Sequence, residues 1–364
     1  MRAAVLYENN QPVEIKDLVQ DPPKAGEVRV RMGAAGICAS DRHIMTGSAV
    51  LPRPIVLGHE AAGTVEEVGA GVTRVKPGDR CVMSFVSNCG HCRTCRTGLP
   101  NICETNTETG VRQYDGTARL HDGDKDVYQM GKLGAFAEHI VIPQQACHPI
   151  PDQVPFSVAS LIGCRVTTGA GAVINSPAAY PGMSVAVFGC GGVGLNAIQG
   201  AVLAGATRII AVDIYDHKLE FSYKFGATDV VNSREVDAVE AIKDITGDGV
   251  DMALDSFGST EIVANCVKVL RRGGTAVSIG LAPVNATAPI DVVDMIRGQK
   301  TLVGSYYGSA SPQETFRKLL DFYTRGKLDI DSMITRTYTL EQVNEGFDAI
   351  ARGEDGVGVI RFGA

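Results

Sequence analysis

The sequence predicts an α/β fold in two domains, one mainly β and the other a doubly wound parallel sheet. Its length of 364 residues exceeds what one hydrophobic core usually organises. Short β-like runs separated by glycine and proline fill residues 1–165, whereas strands alternate with helical patterns over 166–311. A helical pattern within 312–364 predicts that the chain returns to the first domain.

The composition is that of a globular chain and excludes several function classes. Apolar residues make up 45% and charged residues 21%, which argues against wholesale disorder. Lys and Arg total 34 against 41 Asp and Glu, and no basic run is present, so we expect no nucleic-acid partner. The sequence starts without a signal-peptide pattern, and polar residues interrupt its longest apolar tract, 184–206. We therefore expect a cytoplasmic location and no membrane partner.

The first domain is predicted from β-like runs such as EVRVRM (27–32), AAGTVEEVGAGV (61–72) and DRCVMSF (79–85). Glycine and proline between such runs favour turns, which indicates an antiparallel and partly barrel-like region. The second domain is predicted from SVAVFG (184–189) and RIIAVD (208–213), each followed by a helical pattern. This alternation is what a parallel, doubly wound sheet requires.

A glycine motif opens the second domain. The stretch VAVFGCGGVG fits G-x-G-x-x-G directly after an apolar strand and before an Ala-rich helix, which favours a dinucleotide site. The first glycine would permit the tight turn, the second the approach of a pyrophosphate, and the third close helix packing. The predicted cofactor-binding residues of this loop are Gly189, Gly191, Gly192, Val193 and Gly194.

Asp213 ends the second strand, where a carboxylate would accept hydrogen bonds from the adenosine ribose. A carboxylate at this position repels a 2′-phosphate, and no arginine follows it in DIYDHK, so the sequence favours NAD over NADP. Lys218 is a further candidate for contact with the ribose, although a lysine in the first turn of a helix is often simply solvated.

Four cysteines crowd into the loop SNCGHCRTCRTGLPNICE, residues 87–104. In a reducing compartment such clustering indicates a metal and not disulfides. The spacing C-x2-C-x2-C-x7-C lets four thiolates enclose one ion, which favours a structural zinc. An iron–sulfur cluster is the chemical alternative, but its common spacings differ. The predicted ligands are Cys89, Cys92, Cys95 and Cys103.

A second set of metal ligands comes from three separate segments of the first domain. GICASDRHIM contains Cys38, VLGHEAAG contains His59, and LIGCRVTTG contains Cys164. Two thiols and one imidazole leave a coordination position open, as catalytic zinc sites do. The cysteines outside both sets, namely Cys81, Cys147, Cys190 and Cys266, are predicted to fill the core.

The stretch GHEAAGTVEEVGAGVTRVKPGDRC (58–81) resembles the zinc signature of the zinc-dependent medium-chain alcohol dehydrogenases. The resemblance extends over nearly the whole chain and includes the four-cysteine lobe, the glycine motif and the order of domains. It implies a GroES-like catalytic domain over 1–165 and 312–364 and a Rossmann NAD-binding domain over 166–311. It also implies two zinc ions per subunit, a catalytic ion at Cys38, His59 and Cys164 and a structural ion in the lobe.

The resemblance also implies roles for further residues, by matched position. Ser40 corresponds to the hydroxyl that accepts the alcohol proton and passes it, by the cofactor ribose, to His43. Glu60 and Asp41 correspond to carboxylates beside the zinc, Asp41 orienting His59. The remaining positions are Thr168 behind the nicotinamide, and Phe85 and Phe136 in the substrate pocket, where ordinary core packing is the alternative for both phenylalanines.

Two positions depart from the family pattern. Ala39 and Val357 stand where relatives often place basic residues that hold the cofactor's phosphates, which predicts weaker clamping and faster NADH release. Arg165, directly after Cys164, has no assigned role.

The implied reaction is hydride transfer between NAD(H) and a primary alcohol or aldehyde, with an aromatic or medium-chain substrate preferred. A bound zinc would lower the pKa of the alcohol hydroxyl. The long polar segment 106–133 resembles the liver-type and glutathione-linked branches, so a homodimer is expected, with a tetramer as the alternative. A thiol-adduct dehydrogenase of the S-hydroxymethylglutathione type and a polyol dehydrogenase are alternatives of the same fold. A non-catalytic zinc- or nucleotide-binding protein is the remote alternative.

Overall fold

The computed structural model describes residues 1–354 and 356–363, and the chain divides into two units. Unit 1 is Met1–Cys164 with Ser311–Ala364, and unit 2 is Arg165–Ala310. The bounds predicted from the sequence lie one residue away at each junction. Residues 355 and 364, which fall within the predicted segment 312–364, lie outside the described residues.

The first part of unit 1 is rich in short strands. They are β1 (Arg2–Leu6), β2 (Glu14–Asp17), β3 (Val19–Gln20), β4 (Glu27–Gly36), β5 (Ile55–Val56), β6 (Glu60–Val68), β7 (Arg80–Met83), β8 (Leu120–Asp122), β9 (Lys125–Gln129), β10 (His139–Pro143) and β11 (Cys147–Pro149). Its helices are α1 (Ala39–Met45), α2 (Arg93–Arg96), α3 (Glu104–Thr109) and α4 (Phe156–Leu161). Mainly antiparallel pairing of these strands agrees with the predicted β domain.

Unit 2 alternates helix and strand. Its helices are α5 (Thr167–Ile174), α6 (Gly192–Leu203), α7 (Asp216–Tyr223), α8 (Ala238–Thr246), α9 (Thr260–Lys268) and α10 (Val292–Gly298). Its strands are β12 (Ser184–Phe188), β13 (Arg208–Asp213), β14 (Asp229–Asn232), β15 (Val250–Asp255), β16 (Leu270–Ser278) and β17 (Thr301–Gly304). They form a parallel sheet in the order β14-β13-β12-β15-β16-β17. The order reverses beside β12, which confirms the predicted doubly wound sheet.

The last segment returns to unit 1. It contains α11 (Pro312–Thr324), β18 (Ile334–Tyr338), α12 (Val343–Ala351) and β19 (Val357–Arg361). β19 pairs antiparallel with β4, so the sheet runs β11-β7-β6-β4-β19-β18. Phe347 of α12 is 1% exposed and joins the main core of the unit. Burial of such a side chain stabilises the fold by about 2–3 kcal/mol, so the C-terminal segment is held in the core of unit 1.

The segment 106–133 is ordered. β8 and β9 form a hairpin. β8 also pairs with β3, and β9 also pairs with β5. Arg119 is fully buried and binds Glu27 through two nitrogens, at 2.8 Å and 2.5 Å, and Asp115 at 2.9 Å. A buried guanidinium is tolerated only where acceptors such as carboxylates satisfy its N–H donors. The polar residues of the segment 106–133 therefore serve internal packing as well as solubility.

One helical stretch, Phe156–Ile174, is long and apolar enough to cross a membrane by length and composition. It is 89% buried inside the structure, as the core helix of a globular protein is. Its middle turn, Ile162–Val166, is π-helical, and such turns are frequent at functional sites. Cys164 lies within this turn.

Candidate metal and nucleotide sites

Three elements of unit 1 bring the second set of predicted metal ligands, Cys38, His59 and Cys164, together. Cys38 caps the N-terminus of α1, His59 lies directly before β6, and Cys164 lies in the π-helical turn. Their ligand atoms and a carboxylate oxygen of Glu60 lie within 4.8 Å of one another. All four side chains are at least 90% buried. Two thiols, an imidazole and a nearby carboxylate fit the donor chemistry of zinc.

Asp41 fixes two of these ligands at once. It is fully buried and accepts hydrogen bonds from Cys38 N at 3.0 Å, Gly58 N at 3.0 Å and His59 Nδ1 at 2.9 Å. The bond to Nδ1 leaves Nε2 of His59 for a metal and fixes the ring orientation. Burial is the largest single influence and lowers the pKa of His59, but the Asp41 carboxylate and the Cys38 sulfur together raise it, so that the pKa lies well above its usual value.

Glu60 reaches the cluster because a glycine faces it. A Cβ placed on Gly36 would lie 2.0 Å from Glu60 Oε2, so any other residue at that position would displace the carboxylate. Gly36 ends β4 and pairs with Glu60 in register. No local pattern of residues indicates this requirement, because Gly36 is distant from Glu60 along the chain.

Of the predicted proton-transfer residues, Ser40 places its Oγ 3.9 Å from Cys38 Sγ. Ser40 and His43 lie on α1, and both are half-buried. Phe85 is half-buried and stacks edge-on against His59, with ring centroids 5.4 Å apart. Phe136 is fully buried in the main core, edge-on to Phe347 at 6.0 Å. This burial favours core packing, the alternative that the sequence left open for Phe136.

The four cysteines of the lobe also meet. Their sulfurs lie within 4.8 Å of one another, and Cys92 Sγ and Cys103 Sγ are 3.8 Å apart. A tetrahedral ion with zinc–sulfur bonds of about 2.3 Å sets its sulfurs about 3.8 Å apart, so the donor set fits a closed zinc site. Cys89 N and Cys92 N donate to sulfur at 3.3 Å each. A hydrogen bond from the Thr94 hydroxyl is the main cause that lowers the pKa of Cys92 to about 5, which favours its thiolate.

The glycine motif of unit 2 has the geometry that a dinucleotide needs. Gly189 has φ +92°, which only glycine adopts without strain in a tight turn. A Cβ on Gly191 would meet nothing within 4 Å, so a phosphate has room to approach the backbone. A Cβ on Gly194 would lie 1.8 Å from Gly189 O, so the third glycine permits the close packing of α6. Gly192 and Val193 form the first turn of α6, whose N-terminus favours an anion.

Asp213 ends β13 beside this loop. Its carboxylate accepts from Cys190 N at 2.7 Å and from Ile214 N at 2.8 Å. Two cations flank the nearby Tyr215 ring, with Lys218 Nζ 5.0 Å and the Arg234 guanidinium 5.1 Å from its centroid. Sequence reasoning missed Arg234, because it follows the next strand of the sheet and approaches Tyr215 only in the folded unit.

The remaining predicted positions are distributed over both units. Thr168 is half-buried in the first turn of α5. Ala39 is exposed at the start of α1, whereas Val357 is 2% exposed within β19. Arg165 is 6% exposed in the π-helical turn.

Comparison with known proteins gives consistent results. Residues 24–152 match the family described as alcohol dehydrogenase GroES-like domain, and residues 192–325 match the family described as zinc-binding dehydrogenase. A Mycobacterium tuberculosis protein, provisionally designated alcohol dehydrogenase D, is 41% identical over 98% of both chains. The NDMA-dependent alcohol dehydrogenase of Amycolatopsis methanolica is 39% identical over 100% of this chain and 99% of its own. The crystal structure of benzyl alcohol dehydrogenase from Acinetobacter calcoaceticus superposes with a TM-score of 0.95 and 33% identity, covering 100% of this chain and 99% of that one.

Proposed function

This chain belongs to the zinc-dependent medium-chain alcohol dehydrogenases, a family of oxidoreductases, and we propose that it oxidises a primary, preferably aromatic, alcohol with NAD as hydride acceptor. The observation that carries the proposal is the buried cluster of Cys38, His59, Cys164 and Glu60 with the Phe85 ring against His59. A zinc ion bound there supplies a Lewis acid that lowers the pKa of an alcohol hydroxyl. The structural similarity to a benzyl alcohol dehydrogenase supports an aromatic substrate.

The residues around the cluster have separate tasks in this proposal. Asp41 holds His59 and the Cys38 backbone in place, so the ligands need not reorganise when the metal binds. Ser40, whose hydroxyl lies beside Cys38 Sγ, would accept the alcohol proton while releasing its own, by the cofactor ribose, toward His43. His43, half-buried on the same helix, passes that proton to solvent. Phe85 provides an apolar and aromatic wall for the substrate.

The choice of NAD rests on Asp213. Its carboxylate lies at the end of β13, where it would accept hydrogen bonds from ribose hydroxyls and repel a 2′-phosphate. The neighbouring Lys218 and Arg234 act in the opposite direction, because they would attract a phosphate. We expect the carboxylate to prevail, since it lies nearest the glycine loop and accepts from Cys190 N within it.

The test is NADH formation at 340 nm by the zinc-loaded protein, with NAD or NADP and a panel of benzyl alcohol, hexanol, ethanol, sorbitol and hydroxymethyl-glutathione. We expect the highest kcat/KM with benzyl alcohol and NAD. Preference for sorbitol or for the glutathione adduct would replace the substrate proposal by the polyol or thiol-adduct alternative. Silence with every alcohol, while both metal sites are loaded, would contradict release of NADH by this reaction and would leave either reoxidation of bound NADH or the non-catalytic alternative.

A second function is favoured by one observation, the 39% identity to an NDMA-dependent alcohol dehydrogenase over the whole chain. Here the NADH formed would stay bound and be reoxidised in place by an external acceptor. The absence of basic residues at Ala39 and Val357 argues for release of NADH instead. Mixing enzyme and benzyl alcohol with and without NDMA separates the two. Turnover only with NDMA, and without free NADH, would establish the second function.

For the assembly we propose a cytoplasmic homodimer, the liver-type arrangement. All four residues of β17, an edge strand, are exposed, and Leu302 and Val303 are apolar. α10 exposes Val292, Val293 and Ile296 on the same unit. An exposed apolar edge strand readily pairs with a second copy. Light scattering after size exclusion, repeated with Val303→Lys, tests this: a mass of 38.4 kDa in the wild type would exclude the dimer and any larger assembly.

A further inference from the structure

A fully buried lysine, Lys132, contacts the helix that follows the four-cysteine lobe. Lys132 is 0% exposed and has a left-handed backbone with φ +63°, which is unfavourable for a residue with a side chain. It is the last residue but one of the segment 106–133, in a short helical turn with Met130 and Gly131. Burial of an ammonium group and a strained backbone both cost free energy, so the lysine must contribute an interaction that outweighs them.

Lys132 contacts the helix that follows one of the predicted metal ligands. Its Nζ donates to Asn106 O at 3.0 Å and to Gly110 O at 2.7 Å. Asn106 O lies within α3 and also accepts from Gly110 N at 3.2 Å, whereas Gly110 caps the C-terminus of the helix, where a cation is favoured. α3 begins directly after Cys103, which caps its N-terminus. Lys132 therefore holds one end of the helix whose other end carries a sulfur ligand.

Charge provides a second link. Four thiolates around one Zn²⁺ carry a net charge of −2, which is costly in a partly buried lobe. The side chain of Tyr114 lies close to Lys132 and within electrostatic reach of the four cysteines. Its ring is 5.8 Å from Lys132 Nζ, and its pKa is raised by burial and by the four nearby thiols. Burial lowers the pKa of Lys132 to about 8, while Cys103 acts to raise it.

We propose that Lys132 is the positioning residue of the lobe: its ammonium group compensates the negative charge of the metal thiolates and fixes α3, so that the lobe retains zinc. The proposal concerns the lobe and its metal, and it is independent of the substrate and of the nucleotide. Its readout is zinc release, so failure of the proposed reaction would leave it intact.

A buried lysine at a helix end is also a general stabilising device, and the chain contains a matched example. Lys300 has a side chain 7% exposed, and its Nζ donates to Val267 O at 3.0 Å, near the end of α9 in unit 2. It also pairs with Asp294 at 2.8 Å. Lys300 shares the burial and the helix contact of Lys132 but lies in the unit that does not contain the lobe, which makes it the control.

The experiment compares Lys132→Gln, Lys132→Arg and Lys300→Gln with the wild type. Glutamine keeps two N–H donors for the carbonyls but removes the charge. Zinc transfer to a chromophoric chelator gives the release rate, and titration of reactive thiols under native conditions identifies the site. Loss of the lobe metal frees four cysteines, whereas loss from the other cluster frees two.

We expect Lys132→Gln to release the lobe zinc about tenfold faster than the wild type, because it removes the charge opposite the thiolates, and changes outside the ligands of a metal site typically lower its affinity by about 10–100-fold. The release rate of Lys132→Arg should lie between those of the wild type and Lys132→Gln, because arginine keeps the positive charge but spreads it over a larger, planar group. Lys300→Gln should release at the wild-type rate. Should Lys132→Gln fail to fold, Lys132→Arg decides by releasing faster than the wild type. A wild-type rate in the folded Lys132 variants, or equal acceleration in Lys300→Gln, would overturn the proposal.

Discussion

The two metal-ligand clusters of unit 1 use similar donors but are built in opposite ways. The lobe takes its four cysteines from residues 87–104, and local backbone N–H groups donate to its sulfurs. The second cluster draws Cys38, His59 and Cys164 from three separate elements and depends on Asp41 to hold two of them. A closed local set of four thiolates stabilises a fold, whereas an assembled three-ligand set leaves a position for a reactant.

The sharpest test of this contrast removes one ligand from the assembled cluster. His59→Ala should lower kcat/KM by at least about a thousandfold, because loss of a Lewis acid removes about 4 kcal/mol of transition-state stabilisation. The lobe metal and the thermal unfolding temperature should change little. His91→Ala, an exposed histidine in the lobe, is the control and should keep full activity. Activity near the wild-type level in His59→Ala would mean that this cluster is not the reactive one.

The converse test removes a ligand from the lobe. Cys103→Ser should lower the free energy of unfolding by about 3 kcal/mol, because the energy of structural zinc binding is folding energy. Chemical denaturation of the zinc-loaded protein measures it. Cys81→Ser replaces a buried thiol outside both clusters and should keep the full zinc content. If Cys103→Ser kept its zinc and its stability, the lobe would not be a structural metal site.

A milder change separates positioning from ligation. Asp41→Asn keeps the size of the side chain but weakens its acceptance from His59 Nδ1 and from two backbone amides. We expect a 10–100-fold decrease in metal affinity of the assembled cluster or in kcat, with the lobe unaffected. Competition with a chelator and steady-state rates measure the two effects. Asp251→Asn, which alters a carboxylate bonded to Ser184 N in unit 2, should leave both unchanged.

The smallest expected effect concerns the nucleotide. The glycine loop, like the lobe, is formed by residues that are neighbours in the sequence. The charged groups near Asp213, in contrast, come from the segments that follow two different strands. Asp213→Ser removes the carboxylate and leaves Lys218 and Arg234 beside Tyr215, so the ratio of kcat/KM with NADP to that with NAD should rise about tenfold. Adding Arg234→Ala should reverse much of the gain. An unchanged ratio in Asp213→Ser would show that this carboxylate does not select the cofactor.

The four-cysteine spacing, the glycine motif and the alternation of strands and helices could be interpreted from the sequence because each depends on neighbouring residues. Gly189, Gly191 and Gly194 show in the fold the turn, the open approach and the close packing that their spacing predicts. The doubly wound sheet follows from the same local periodicity. The polar sequence of the segment 106–133 does not indicate which of its charged groups are buried, and Arg119 is fully buried in the fold.

Only the tertiary structure decided the features that join distant segments. It assigned Phe136 to the core, placed Gly36 against Glu60, and brought Arg234 to Tyr215 and Lys132 to the helix that follows Cys103. Local motifs can be recognised in the sequence because their residues are neighbours along the chain, and this proximity fixes their geometry. Contacts between distant segments depend on strand register and on how complete elements pack, and no short pattern of residue types encodes these.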